Sequence, residues 1–530
     1  MRNAELQGRL LEPFDPPLTF RIPHSEFRIT FAHMTAVLAI DQGTTGSTAL
    51  VVAADGRVLG RGYREIPQYF PAPGQVEHDA EEILAATVTA AREALAQAKV
   101  VPAALGITNQ RETVCAWERD TGRAVHRALV WQDRRTAPRC QELARDRQAK
   151  LVRERTGLVL DPYFSATKIE WLLQHVPGLA ARVRAGEVVF GTMDTWLLFR
   201  LTGGKAYLTD HTNASRTMLY NIEARTWDED LLRLFGVPRA ALPDVRASSG
   251  MFGTCEARHL GAELPICGVA GDQQAALFGQ GCTEPGQAKN TYGTGAFLLL
   301  NTGDRRAVSQ HGLLTTIACG PRGEPVYALE GSVFIAGAAI QWLRDGLKLI
   351  TQASESEQLA REVSDTGGVY FVPAFVGLGA PHWEPNARGT IVGLTRGTTR
   401  AHLVRAALEA MAFGTKEVLD AMTGDADLRL AALQVDGGAA ANDWLMQFQA
   451  DLLGVPVARP DVVETTALGA AALAGLAAGV WQGPNQFLSG RTFRRFLPGE
   501  RAAAVRAGEV EWRRAVDAAL HWAEAGAGRR

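Results

Sequence analysis

Apolar and polar positions alternate in blocks along the first half of the chain. Val37-Leu-Ala-Ile40 is apolar, Asp41-Gln-Gly-Thr-Thr-Gly-Ser-Thr48 is polar and rich in glycine and threonine, and Ala49-Leu-Val-Val52 is apolar again. Short apolar runs joined by such a stretch predict strand, turn, strand. Asp55-Gly56 predicts a second turn and Val58 to Tyr63 a third strand. Ala80 to Ala98 has helical spacing, and Ala104 to Ile107 is a short apolar strand entering Thr108-Asn-Gln-Arg-Glu112. The block pattern returns at Ala288 to Leu300, around Lys289-Asn-Thr-Tyr-Gly-Thr-Gly295. Two such hairpins fit either two related domains whose turns face one cleft, or two unrelated hairpins. Glu284-Pro285-Gly286 supplies a turn at the boundary. Beyond it, Ser332 to Leu349, His402 to Met422 and Asn442 to Leu453 are predicted helices. Leu433 to Val435 is a strand leading into Asp436-Gly437-Gly438, and the small-residue run Ala467 to Val480 reads as a packed helix. Strands mixed with long helices define an α/β protein.

The composition narrows the classes. The chain has 530 residues, 55 Lys+Arg against 57 Asp+Glu, and a formal charge of −2. That balance argues against a polybasic nucleic-acid or anionic-membrane binder. With 46% hydrophobic and 21% charged residues the chain is an ordinary folded protein with room for more than one core. No apolar run is long enough to predict a membrane span. The 6 cysteines show no CxxC pair or metal-like spacing, and with no secretion signal they read as reduced thiols of a cytoplasmic protein. Residues 1–34 carry scattered charges and four prolines without an apolar core. They read as a disordered extension or an over-extended translation start. The expected domains are 35–285 and 286–530.

Several phosphate and hydrolase motifs are missing: GxxxxGK[ST], GxGxxG, the protein-kinase set, HExxH and GxSxG. What remains is a carboxylate beside a Gly/Thr turn. Backbone N–H and hydroxyl groups after Asp41 can surround phosphate oxygens, and Asp41 can hold a hydrated Mg²⁺. A plain hairpin explains the same residues. Asp272, in Val269-Ala-Gly-Asp-Gln-Gln274, is either the N-cap of a helix or a base that accepts a proton from a substrate hydroxyl. Arg111-Glu112 can bind a polyol, Arg donating and Glu accepting, or can be a surface pair. Trp131, Tyr163 and Phe297 sit among Gly, Pro or polar neighbours, as core anchors or as the lining of a small-ligand pocket.

Together, the segments Ala39-Ile-Asp-Gln-Gly-Thr-Thr45, Gly106-Ile-Thr-Asn-Gln-Arg-Glu-Thr113, Val130-Trp-Gln-Asp-Arg-Arg-Thr136, Asp210-His-Thr-Asn-Ala-Ser-Arg-Thr-Met218, Gly271-Asp-Gln-Gln-Ala-Ala-Leu-Phe-Gly279, Lys289-Asn-Thr-Tyr-Gly-Thr-Gly295 and Val435-Asp-Gly-Gly-Ala439 resemble the FGGY carbohydrate-kinase family. The likeness runs in order from about Met34 to the C-terminal region. It implies two actin-like, ribonuclease-H-like α/β domains flanking a nucleotide-binding cleft, and phosphoryl transfer from ATP, with Mg²⁺, to the terminal hydroxyl of glycerol. A homo-oligomer, dimer or tetramer, is implied as well. The alternatives are a kinase for another small polyol or ketose, or a non-catalytic ligand-binding regulator on the same scaffold. By match to the family's motifs, Arg111, Glu112, Tyr163, Asp272 and Gln273 would hydrogen-bond glycerol, and Trp131 and Phe297 would pack on its carbons. Asp272 would be the general base, with Asp41 and Asp272 at the metal. Thr44, Thr45, Gly46, Thr294, Gly337, Gln341, Gly438 and Asn442 would contact the nucleotide. The resemblance breaks at Gly46-Ser47-Thr48, where many relatives have Ser-Ser-Arg. The loop Gly253 to Glu263 lacks the glycine- and lysine-rich run that binds a sugar bisphosphate in some relatives.

Overall fold

The computed structural model describes residues 35–527, so the expectation for residues 1–34 lies outside the described residues. In chain order the elements that position the site begin with β1 (Ala36–Gln42), β2 (Gly46–Ala53), β3 (Val58–Glu65), α1 (Ala80–Ala98), β4 (Ala104–Asn109), β5 (Ser249–Cys255), β6 (Leu264–Gly271) and α2 (Asp272–Gly279). They continue with β7 (Gln287–Tyr292), β8 (Ala296–Gly303), β9 (Leu314–Cys319), β10 (Pro325–Val333), α3 (Gly337–Asp345), α4 (Arg400–Ala426), β11 (Ala432–Asp436), α5 (Asp443–Leu453), β12 (Val457–Pro460), α6 (Thr465–Ala477) and β13 (Phe493–Phe496).

Two large sheets share one plan. The first has the order β5-β6-β4-β1-β2-β3 and the second β9-β10-β8-β7-β11-β12-β13. In the first, β1, β2 and β3 form an antiparallel meander and β4 and β6 extend it in parallel from β1. In the second, β7, β8 and β10 form the meander, with β11 and β12 parallel to β7. The repeat seen in the two Gly/Thr stretches is therefore a repeat of whole sheets, and both stretches are the first turn of a meander.

The strands are apolar for a reason. β1 is covered on both sides, so its run from Ala36 to Ile40 is buried throughout rather than alternating. Helix α6 follows the last parallel strand of the second sheet, yet packs on β1, β4 and β6 of the first. Its residues from Ala467 to Gly475 are all buried, which a helix of Ala, Leu and Gly tolerates and an amphipathic one would not. There it crosses α2, and a Cβ on Gly469 would fall 1.8 Å from the Ala275 carbonyl oxygen, so only glycine allows the approach.

Two expectations change. Ser332 and Val333 end strand β10, paired with Phe297 and Ala296, and the helix starts only at Gly337 and stops at Asp345. Ladder pairing overrides the local helical pattern there. Residues 253–263 are not one loop: β5 runs to Cys255 and a short helix spans Ala257–Leu260. No helix of the described residues is long and apolar enough to cross a membrane. All six cysteines are free and buried.

Candidate active site

The C-terminal ends of β1, β4 and β6 deliver Asp41, the segment Gln110 to Glu112, and Asp272 to one edge of the first sheet, the usual ligand edge of an open α/β sheet. Asp272 is not the cap of α2. Gly271 is the N-cap and Asp272 the first helical residue. Its Oδ1 accepts the Gln273 backbone N–H at 2.7 Å and lies 3.1 Å from Arg111 Nε, while the side chain keeps 31% exposure. Arg111 Nε is buried and aligned on no protein acceptor among the described residues. A buried donor held by ion pairing alone still has its hydrogen bond to give, and a ligand oxygen is its natural complement.

The rest of Arg111 is fully engaged. Nη1 donates to Glu330 Oε2 at 2.6 Å and Gln274 Oε1 at 3.2 Å, and Nη2 to the Tyr163 hydroxyl at 3.3 Å. Arg216 Nε donates to Glu112 Oε1 at 2.6 Å and its Nη2 to Glu330 Oε1 at 2.8 Å. Two guanidinium groups and two carboxylates thus form a closed, buried lattice, the arrangement in which buried charges are tolerated. Burial alone lowers the Arg111 pKa, but Glu330, Glu112 and Tyr163 reverse this and hold it well above its ordinary value. Burial raises the Glu330 carboxyl, and Arg111 and Arg216 outweigh it, bringing the pKa down to about 2. Burial raises Glu112 more than the two arginines lower it. Glu112 also has φ 63, an unusual backbone conformation for a residue with a side chain and a frequent mark of functional sites.

Tyr163 stands edge-on to Trp131, ring centres 5.5 Å apart. The Trp131 indole N–H donates to Thr44 Oγ1 at 2.8 Å, so the aromatic wall touches the hairpin directly. Phe297 pairs across the second sheet with Thr291 and Ser332, and Lys289, Leu299 and Glu330 form the next row on that face. Because cross-strand partners share a face, half-buried Phe297 faces the same way as Glu330, toward Arg111. Lys289 Nζ donates to Gln273 Oε1 and, at 2.9 Å, to Thr291 Oγ1.

Burial, and then the neighbouring Asp272 carboxylate, push Asp41 up to about 7. No cation pairs with Asp41 among the described residues. Two neighbouring carboxylates, of which Asp41 has no paired cation among the described residues, fit Mg²⁺, which uses one or two carboxylates together with waters and phosphate oxygens. They do not fit a metal held by protein alone, and no group of three or more His, Cys, Asp or Glu is so placed among the described residues. Thr48 is directly opposite Asp41 and Tyr63 opposite Thr48, so the three share one face of the sheet. A Cβ on Gly46 would sit 2.8 Å from the Tyr63 hydroxyl and 2.6 Å from the Arg64 carbonyl oxygen, which closes that position to a side chain.

The remaining expected positions gather elsewhere. Thr294, Gly337, Gln341, Gly438 and Asn442 all line one cavity of about 530 Å³ on the second sheet, together with Arg344, Ser354 and Glu357. The Gly337 N–H donates to the Gly293 carbonyl at 3.0 Å, which seats the start of α3 on the hairpin and points the helix N-terminus at the cavity rim. Thr44, Thr45 and Gly46 do not line this cavity; they belong to the Asp41 edge. Glu330 and Arg216 were not singled out by sequence reasoning. Arg216 lay inside a matching motif, whereas Glu330 offered only one charge in an otherwise apolar strand.

The fold and site define a two-domain kinase of the ribonuclease-H-like class. The N-terminal domain model of the FGGY family of carbohydrate kinases matches residues 36–279 and its C-terminal domain model matches residues 288–478. A glycerol kinase 2 from Thermotoga maritima is 53% identical over 493 residues, 92% of this chain and 99% of that protein. A glycerol kinase from Halorhodospira halophila is 56% identical over 92% of this chain and 97% of its own length. The solved structure of Plasmodium falciparum glycerol kinase with ADP superposes with a TM-score of 0.88 at 37% identity, covering 92% of this chain and 98% of that one. The chain belongs to the FGGY family of carbohydrate kinases. A ligand-bound xylulose kinase from Lactobacillus acidophilus shares the fold, with a TM-score of 0.81 at 21% identity.

Proposed function

We infer that the chain transfers the terminal phosphoryl group of ATP to the terminal hydroxyl of glycerol, giving sn-glycerol 3-phosphate. The single observation that carries this reading is the buried Arg111 Nε, aligned on no hydrogen-bond acceptor among the described residues, 3.1 Å from the part-exposed Asp272 carboxylate. One hydroxyl can accept from Arg111 and donate to Asp272 at the same time, which is what a polyol supplies and an apolar or purely anionic ligand does not. The names of relatives more than half identical to this chain support the same acceptor.

In this reading Arg111, Glu112, Tyr163, Asp272 and Gln273 bind the hydroxyls, and Trp131 and Phe297 cover the carbon chain. Asp272 takes the proton from the attacking hydroxyl; its Oδ1 is occupied by the Gln273 N–H, which leaves Oδ2 for that task. The base and triphosphate of ATP occupy the cavity between Thr294, Gly337, Gln341, Gly438 and Asn442, and the terminal phosphate meets Thr44, Thr45 and the Gly46 backbone. Asp41 and Asp272 would hold Mg²⁺, which neutralises phosphate charge when bound. Phosphoryl transfer asks for such positioning and neutralisation more than for covalent chemistry. The test is an ADP-release assay on the full chain with ATP, Mg²⁺ and glycerol. Turnover requires glycerol; ADP release that is the same without it overturns the reading.

A prediction arises at Thr48. Since Thr48 is the cross-strand partner of Asp41, Thr48→Arg puts a cation at the phosphate-facing row. It should lower KM for ATP and leave KM for glycerol unchanged, because the charge favours ATP in the ground state as well as in the transition state. Steady-state kinetics with each substrate varied in turn check it; a shifted glycerol KM would place position 48 away from the phosphates.

A further inference from the structure

Trp131 touches two places that chemistry keeps apart: the aromatic wall and the phosphate hairpin. We propose that Trp131 is a positioning residue for phosphoryl transfer, fixing the Thr44 hydroxyl so that its proton points at the terminal phosphate. An indole N–H can only donate, so at 2.8 Å the Thr44 oxygen must accept. That contact uses a lone pair of Thr44 and leaves its O–H to donate elsewhere. Among the described residues no protein acceptor takes that proton, and a phosphate oxygen is the acceptor the hairpin is shaped to receive.

A second link fixes the same geometry. The Trp131 backbone N–H donates to Thr113 Oγ1 at 3.2 Å, and Thr113 Oγ1 donates to Gln110 Oε1 at 3.0 Å. Gln110 is in turn bound to the hairpin: its backbone N–H donates to the Gln42 carbonyl at 2.7 Å and its Nε2 to the Gly43 carbonyl at 3.4 Å. Backbone and indole of Trp131 are therefore both referenced to Gln42, Gly43 and Thr44. The ring also stands against Tyr163, whose hydroxyl accepts from Arg111. One side chain thus spans the acceptor-binding groups and the donor-binding turn, and sets the distance between them.

The inference rests on the assignment of the hairpin to the phosphates and of glycerol to the Arg111 side. Trp131→Phe keeps an aromatic face but removes the indole N–H. We expect kcat to fall about tenfold or more, the scale of one misplaced hydrogen bond to a charged group, with KM for glycerol moving far less than kcat. Thr44→Val should show a similar loss, Thr44→Ser a much smaller one, and the double variant Trp131→Phe/Thr44→Val should be no worse than Thr44→Val alone. A wild-type kcat and ATP KM in Trp131→Phe, or fully additive losses in the double variant, overturns the inference while leaving the glycerol reading intact. A wild-type chain inert toward glycerol removes the reading itself. If Trp131→Phe does not fold, the indole proton resonance of Trp131 serves instead: Thr44→Val must move it, and an unmoved resonance overturns the inference.

Discussion

Asp272→Asn should lower kcat by about 10²-fold or more, the usual contribution of a positioned base, while ADP still binds. The substitution preserves shape: an amide oxygen can still accept the Gln273 N–H at 2.7 Å, and Arg111 retains Glu330 at 2.6 Å. What disappears is the capacity to accept the hydroxyl proton. Nucleotide affinity should survive because the cavity of about 530 Å³ is lined by residues between Tyr292 and Asn442, whereas the hydrogen bond and ion pair of Asp272 go to Gln273 and Arg111. Steady-state turnover together with calorimetric ADP binding checks both halves. Near-normal turnover would leave Asp272 as no more than a negative first residue at a helix N-terminus, where charge alone is stabilising.

The second large effect is expected at Glu330. Its two oxygens bridge Arg111 at 2.6 Å and Arg216 at 2.8 Å, and the two arginine side chains are 2% and 0% exposed. Glu330→Gln leaves two buried guanidinium groups facing one carboxylate, Glu112, apart from the exposed edge of Asp272. Removing one partner of a buried ion lattice costs about 3–5 kcal/mol, so the urea midpoint should drop markedly. KM for glycerol should rise with it, since Arg111 loses the group that holds its fork. The pH dependence carries its own sign. The Glu330 carboxyl falls from 4.5 to about 2 on folding, so the folded chain binds fewer protons than the unfolded one between those values. Its stabilisation is complete above that window and is lost as pH falls through it. Wild type should lose this increment on acidification, and Glu330→Gln, having none to lose, should show a shallower acid decline. Equal stability of the two proteins at pH 7 would contradict the lattice.

Much of this was legible in the sequence because local pattern and tertiary role agree. The apolar blocks around Asp41 and around Gly293 became the first hairpins of two matching meanders. Helix α1 runs over the residues its spacing indicated, and Asn442 caps α5 by accepting the Leu445 N–H at 2.9 Å. The eight expected nucleotide positions divided into two groups that periodicity could not separate, five at the cavity and three at the Asp41 edge. Ser332 misled because its neighbours are as suited to a helix as to a strand, and only pairing with Phe297 decides between them. Glu330 was invisible for a related reason. A lone carboxylate in Tyr327-Ala-Leu-Glu-Gly331 has no local meaning, and its partners lie 219 and 114 residues away in sequence. Tyr63 over Gly46, and Trp131 on Thr44, are likewise contacts between segments that only the assembled sheet brings together.

The most direct test is the acceptor specificity of the wild-type chain, read as kcat/KM with ATP and Mg²⁺ in one coupled ADP-release assay for glycerol and for xylulose. Buried hydroxyl-binding groups matched to a short polyol, with Trp131 and Phe297 closing on its carbons, should favour glycerol by orders of magnitude, since a site built on hydrogen bonds discriminates against ligands that leave them unmade. A preference for the five-carbon ketose would contradict the account, because it would mean that Arg111, Asp272 and Phe297 enclose a different acceptor.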